Sequence, residues 1–399
     1  MKNRGLAALC FLVVVGILTA GLWPFTPFPK NEVSWPANEQ GLLFGDYGTV
    51  LSSGPFTPTQ TDRGCAIEMW LVPGLTDDAN TILAFSTTEN PQGFRAGQNR
   101  TTLYLARTFR PSSSSQEQTK WMAIHNVFLQ GKQVFLSVTT DTGGTAVYID
   151  GNQAQLDRRF GLSCAEFKGT MVVANSPVAN NSWSGLMKGI AVYYSGLSAQ
   201  QVSEHYHLWL AGAGSSLATQ NADALYLFGD SGNRITNKGS GKQPDLIIPR
   251  SYTVLHPPFL LPFWKGFSFD RSYWVDIANN ILAFVPLGFF VSAFLSGTQL
   301  RSHSFWSTVI LGGALSLTIE VLQYFIPMRD SGTMDLITNT TGTTLGAWLF
   351  VLQTQYDWLG KLPIVRRIWE VLCPANSCIR RSVGSKMTAS GQEREPQRV

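Results

Sequence analysis

Four long apolar runs interrupt an otherwise polar chain. The first is Leu6 to Trp23, 18 residues. The others are Ile277 to Leu295, Phe305 to Ile326 and Leu336 to Leu352, of 19, 22 and 17 residues. About 20 apolar residues cross a hydrocarbon core, so each run is long enough, with its flanks, to predict a spanning helix. Between the first run and the second the pattern changes period. Ala66–Leu71, Val134–Val138, Ala146–Ile149 and Gly189–Tyr193 are short runs of Val, Ile, Tyr, Phe and Thr type, separated by Gly, Asn and Asp. Such spacing predicts an all-β sandwich. Asp150-Gly151 predicts a tight hairpin turn, which needs positive φ, and this reading is preferred to Asp150 as a metal or sugar ligand. One helix interrupts the strands. Ser198-Ala199-Gln200-Gln201 opens it, and Val202, Tyr206 and Leu210 share a face at four-residue spacing. His205 and His207 on this helix point to different faces, so they are not expected to share a metal ion.

The fold class expected is therefore mixed: an all-β jelly-roll sandwich, exported, plus an α-helical membrane bundle of four spans. The segments are a first membrane helix or signal anchor (1–25), the sandwich (38–235), a Pro-rich linker (236–270), the helical bundle (271–353) and a basic tail (354–399). Lys2 and Arg4 before the first run place the N-terminus in the cytoplasm. A cleaved signal peptide is the rival reading, because Thr19-Ala20-Gly21 are small, but Leu18 is a poor residue before such a cut. Phe259, Phe263, Trp264, Tyr273 and Trp274 suit an aromatic belt at a membrane surface.

Charge refines this picture. Charged residues make up 14% of the chain, below the ~25% of soluble domains. Residues 26–270 hold 17 Lys/Arg against 18 Asp/Glu, and residues 354–399 hold 8 against 4. The basic excess thus lies in the tail, with Lys361, Arg366, Arg367, Arg380 and Arg381, and marks a cytoplasmic flank rather than a nucleic-acid partner. Five cysteines are present. Cys65 and Cys164 form a disulfide if the middle region faces an oxidising compartment; two separately buried thiols are the alternative. Cys373 and Cys378 lack a second ligand pair for a metal. No cofactor is expected: P-loop, dinucleotide, HExxH and nucleophile-elbow patterns are missing.

The candidate chemistry lies in the last three runs. Asp276 and Asn280 open one, and Asp335 and Asn339 open another; both pairs have Asp-x3-Asn spacing, which puts each on one helix face. Glu320 and Gln323 share a face near the end of the run between them. Alternating spans put all six at one exterior-facing depth. Ser316 and Gly313 continue the Glu320 stripe, and Gly342 and Gly346 continue that of Asp335 and Asn339, where small residues let helices pack closely. Helix capping is an equal account of Asp276 and Asp335, and interhelical bonding one of Asn280 and Asn339. Glu320 resists such an account, because an unpaired charge inside an apolar helix costs at least ~2.5 kcal/mol. Arg329 is its natural counter-ion. Glu320, Asp335 and Asp276 are the candidate catalytic groups, and Asn280, Gln323, Arg329 and Asn339 the candidate binding groups.

Two family resemblances attach to these residues. Ile67–Pro73, Ala146–Gly151 and above all Gly185–Ser198 resemble the laminin-G-like, concanavalin A-like jelly roll over roughly Asn38 to Asn233. That resemblance implies two packed antiparallel sheets, with Ala224–Phe228 beside Leu42–Phe44, and a domain that binds carbohydrate, protein or nothing known. Asp276-x3-Asn280-x3-Phe284-Val285-Pro286-Leu287-Gly288, Ile319-Glu320-x2-Gln323 and Arg329-x5-Asp335-x3-Asn339-x2-Gly342-x3-Gly346 resemble the VanZ-like membrane family, associated with glycopeptide (teicoplanin) resistance. The family's usual first helix corresponds to Leu6–Trp23, with the jelly roll inserted in the first exterior loop. Together they imply a multi-pass protein of the bacterial cytoplasmic membrane. Its expected partners are membrane lipids and, through the sandwich, a glycan or envelope protein. The alternatives are a membrane-anchored adhesion or sensing protein without catalysis, and a scaffold for another membrane protein.

Overall fold

The computed structural model describes residues 4–59, 64–74, 79–111, 117–229, 231–267, 269–327 and 329–356. Residues 357–399, with the basic tail, Cys373 and Cys378, lie outside the described residues. The chain divides into two compact units, Pro27–Pro257 and a second made of Met1–Thr26 with Pro258–Val399.

The first unit is the sandwich. Its strands begin with β1 (Val33–Ser34), β2 (Leu42–Phe44), β3 (Val50–Ser52), β4 (Cys65–Pro73) and β5 (Ala79–Ser86). They continue with β6 (Phe94–Asn99), β7 (Thr102–Phe109), β8 (Gln118–Ile124), β9 (Val134–Asp141), β10 (Gly144–Ile149) and β11 (Asn152–Asp157). The last are β12 (Thr170–Val173), β13 (Gly185–Tyr193), β14 (Ala224–Leu227), β15 (Arg234–Ile235) and β16 (Leu246–Ile247). One sheet runs β1-β2-β13-β4-β9-β10-β11, with β14 also on β13; the other runs β15-β16-β3-β12-β5-β6-β7-β8.

Side-chain alternation explains how the sheets pack. From β4, Ile67, Met69 and Leu71 enter the core between the sheets, as do Met187, Ile190 and Val192 from β13. Ala66, Trp70, Ala191 and Tyr193 point the opposite way. They too are buried, because a helix in this unit, Ala199–Leu210, covers that outer face. Its buried residues are Val202, His205 and Trp209, while Leu210 is exposed. The packed face therefore takes in His205 and Trp209 beside Val202 and Tyr206, and leaves out Leu210. Asp150 and Gly151 have φ of 51° and 79° and close a two-residue hairpin between Ile149 and Asn152. The Asp150 carboxylate also accepts from the Phe135 amide at 2.9 Å.

Three details differ from the sequence expectations. The segment 236–270 is not uniformly linker: β16 pairs with both β15 and β3, because Leu246 has a core position to fill. Ala224–Phe228 does not pair with Leu42–Phe44; β14 and β2 each pair with β13, at residues 189–192 and 185–187. The ends of the unit meet elsewhere, at a bridge between Lys30 and Ser251. Cys65 and Cys164 are both buried as thiols rather than joined in a disulfide, and they are not separate. A hydrogen bond to Cys164, then burial, holds the Cys65 thiol well above its usual range.

The second unit is a bundle of α1 (Arg4–Leu22), α3 (Arg271–Ser296), α4 (Ser304–Gln323) and α5 (Thr333–Tyr356); the sandwich helix is α2. Three helices are long and apolar enough to cross a membrane: α1, α3, and α4 counted from Arg301. At 24 residues α5 is long enough, but its Thr-rich sequence lowers its apolar character. Leu6 packs with Ala293 and Phe350, and Leu22 with Phe284, Leu287 and Ile319. Thus α1 and α4 run one way, and α3 and α5 the other. Gly342 and Gly346 hold the α3–α5 seam: a Cβ at either would collide with the carbonyl oxygen of Ile281 or Val285. The close glycine of α4 is Gly312, against Thr343, and not Gly313, which has room.

Candidate functional site

Helix direction brings the C-termini of α1 and α4 and the N-termini of α3 and α5 to one end of the bundle. Polar side chains gather there. Glu320 is 1% exposed. Its Oε2 accepts from the Gly332 amide at 2.7 Å, and Ser331 bonds the same carboxyl. Asp335 is half-buried in the first turn of α5, within electrostatic reach of both Glu320 and Asp276. Asn280 of α3 donates to Asp335 Oδ1 at 2.9 Å. One turn deeper, Asn339 Nδ2 donates to Ser316 Oγ at 3.0 Å.

The loop between α4 and α5 also reaches α1. Gln323 Nε2 donates to the Gly21 carbonyl at 2.7 Å. Arg329 donates through Nε to Trp23 O at 2.9 Å, and through Nη2 to Ala20 O and Trp23 O at 3.2 and 2.5 Å. These carbonyls end a helix and have no intrahelical donor, so a guanidinium and an amide suit them. The segment before α3 closes the other side: Leu261 N donates to Ser331 O at 2.8 Å, and Thr333 N to Leu261 O at 2.9 Å.

The sandwich holds a different buried carboxylate. Glu68 points to the outer face of β4 and is covered by α2. Its Oε1 lies 2.8 Å from His205 Nδ1, and Tyr193 donates to Oε2 at 3.1 Å. Burial pushes the Glu68 carboxyl above its usual range, against the opposing effect of these bonds, and burial pushes the Tyr193 hydroxyl up as well. Two hollows open on this unit. One, of about 300 Å³, is lined by Trp70, Trp209, Gln40, Gln133 and Lys188. The other, of about 570 Å³, includes Asp141, Tyr148, Gln153 and Arg158. Among the described residues, no group of three His, Cys, Asp or Glu side chains is arranged to hold a metal ion.

Comparison with known families assigns the two regions separately. Residues 230–354 match the VanZ/LLP1 family, and residues 44–203 the concanavalin A-like lectin/glucanases superfamily. The helical region is VanZ-like and the sandwich is concanavalin A-like. No curated protein matches the chain. Among solved structures, a heptameric SAP-like pentraxin from Limulus polyphemus is 16% identical over 45% of this chain and 79% of its own, with a TM-score of 0.31. A putative carbohydrate binding protein from Bacteroides ovatus is 12% identical over 51% of this chain, with a TM-score of 0.35. The ligand binding domain of botulinum neurotoxin serotype D, in complex with N-acetylneuraminic acid, is 11% identical over 45%, at 0.31. The chain spans 59% and 45% of the length of those last two.

In the VanZ-like unit, Glu320, Gln323, Asp335, Asn339 and Asn280 come together as their spacing suggested. Asp276 does not cap α3, which starts five residues earlier at Arg271; it is exposed in the second turn. Arg329 forms no ion pair with Glu320 among the described residues, because its Nε and Nη2 face the end of α1. Sequence reasoning missed Ser331 and the Gly332 amide as the partners of Glu320. The signal was there in Ser331-Gly332-Thr333, a turn leading into a helix, but apolar periodicity does not register a turn. The Glu68–His205–Tyr193 cluster was missed because its members lie on three separate elements.

Proposed function

We propose that the polar end of the VanZ-like bundle binds, and exchanges a proton with, a polar headgroup or lipid-linked envelope precursor at the exterior surface of the bacterial cytoplasmic membrane. The observation that carries this reading is Glu320, an ionisable group 1% exposed inside a spanning helix and bonded to a backbone amide rather than to a cation. In this reading Glu320 is the proton donor or acceptor, with Asp335 as the second carboxyl and Asp276 at the mouth. Asn280, Gln323 and Asn339 position the ligand. Arg329, a candidate binding group by sequence, serves in this reading as a brace for α1. Lipid and envelope-precursor profiling of cells carrying Glu320→Gln tests this. An accumulated or depleted headgroup class is the expected result. Unchanged profiles at normal expression would sink the proposal.

A second reading rests on the sandwich. Trp70 and Trp209 stack at 6.2 Å with planes 10° apart beside a hollow that also has Gln40, Gln133 and Lys188. Aromatic faces beside amides and an amine suit a sugar ring, so the sandwich would bind a glycan with the helices as anchor. It predicts that glycan-array binding by the full chain survives Glu320→Gln and is lost in Lys188→Ala.

A further inference from the structure

The polar end of the bundle is rich in acceptors and short of donors. Gln323 is 7% exposed and Asn339 5%. The Gln323 amide nitrogen bonds a carbonyl, which fixes the orientation of that amide. Its Oε1 is then left without a partner among the described residues. Asn339 Oδ1 is also unpartnered. Ser316, Glu320 and Gln323 fall at i, i+4 and i+7, on one face of α4. Asn339 bonds the first of them, so the two orphan acceptors belong to the turns before and after Glu320. Buried acceptors without donors are uncommon and destabilising, and two beside a carboxylate call for a guest that brings N–H or O–H groups.

Charge narrows the guest. Glu320, Asp335, Asp276 and Asp330 form a chain of carboxylates around Asp335. Among the described residues Arg329 is the cation within reach of Asp335, and its Nε and Nη2 are engaged by the carbonyls of α1. A phosphate would bring acceptors to acceptors and negative charge to negative charge. We infer that the site takes a primary ammonium group, donating to Glu320 and to the orphan oxygen of Gln323 one turn on. This rests on the reading of the polar end as a headgroup site and supplies its ligand chemistry. Such a group is carried by an aminoethyl phospholipid headgroup or by a free amine on an envelope precursor.

A headgroup series tests the inference on the intact protein. The full chain is placed in nanodiscs with equal fractions of phosphatidylethanolamine, its N,N-dimethyl form, phosphatidylcholine and phosphatidylglycerol, and retained lipid is read by native mass spectrometry. Methylation keeps the positive charge and removes the N–H donors. Phosphatidylethanolamine should be retained roughly tenfold or more over phosphatidylcholine, the dimethyl form falling between, since a hydrogen bond to a charged group is worth about that factor. Glu320→Gln should abolish the preference, and Leu317→Ala, on the exposed side of α4, should keep it. Displacement of the lipid by free ethanolamine assigns the site to the amine alone; its failure assigns it to the lipid form. Equal retention of phosphatidylcholine by the wild-type protein, or the strongest retention of phosphatidylglycerol, overturns the inference whatever the variants do. If Glu320→Gln still alters envelope precursors in that case, only the ammonium assignment fails and the headgroup reading stands.

Discussion

Glu68 and Glu320 are both carboxylates at or below 1% exposure, yet they are built into opposite surroundings. Glu68 has a partner for each oxygen, His205 and Tyr193, under the cover of α2. Side chains of the sandwich close over it, although the Ser137 hydroxyl opposite Glu68 on β9 and Trp209 Nε1 are left without a hydrogen-bond partner among the described residues. Glu320 has a backbone amide and Ser331, while Gln323 and Asn339 beside it leave acceptors open. Burial of an ionisable group is therefore no guide to its role by itself. What separates the two is the partner, an imidazole and a phenol for Glu68 and a backbone amide for Glu320.

The largest expected effect falls on the Glu68 network. Glu68→Ala removes one member and strands His205 and Tyr193, which should destabilise the sandwich by about 3–5 kcal/mol. Urea unfolding of the full chain, followed by tryptophan fluorescence, checks it. Glu320→Gln should leave the denaturation of the bundle nearly unchanged while abolishing headgroup preference. The contrast breaks if Glu68→Ala is silent and Glu320→Gln unfolds the bundle.

An intermediate effect is expected at Arg329. Arg329→Gln loses charged hydrogen bonds to the end of α1 and should weaken the bundle by about 1.5–3 kcal/mol, seen as faster proteolysis around residues 20–26. A brace gives this result. A residue that held an anionic ligand would instead lose phosphatidylglycerol retention at unchanged protease resistance.

The smallest effect concerns pH. Burial raises the folded-state carboxyl of Glu68 above its unfolded value, facing His205 and Tyr193. The stability linked to Glu68 is thus fully present below the ordinary carboxylate pKa of about 4.3, and is lost as pH rises through the raised folded value. The urea midpoint of the sandwich should fall with pH over that window in wild type and stay flatter in Glu68→Gln. A steeper fall in the variant would contradict the sign.

Much of this was legible in the residues, and the limits have physical causes. The apolar runs gave the helices because a spanning helix must be apolar along its length. Asp-x3-Asn and Glu-x2-Gln gave the shared faces because helical spacing is fixed. The ends of α3 were not legible: Arg271 to Val275 is amphipathic, and composition alone does not mark where the first turn begins. The partners of Arg329 and Glu320 were also hidden. Both bond to backbone groups, and a backbone carbonyl or amide looks the same at every position in a sequence. The face of α2 was misread at Leu210 because Leu210 is more apolar than His205, whereas a partner on β4 decided which residue was covered.

The hydrogen bond from Gln323 to Gly21 joins positions 302 residues apart. A ribosome adds roughly 5–20 residues per second, so α1 is made about 15–60 seconds before the group that caps it exists. During that interval its last carbonyls have only water or lipid headgroups for company. The end of the first helix is therefore secured only after α3 and α4 have been made.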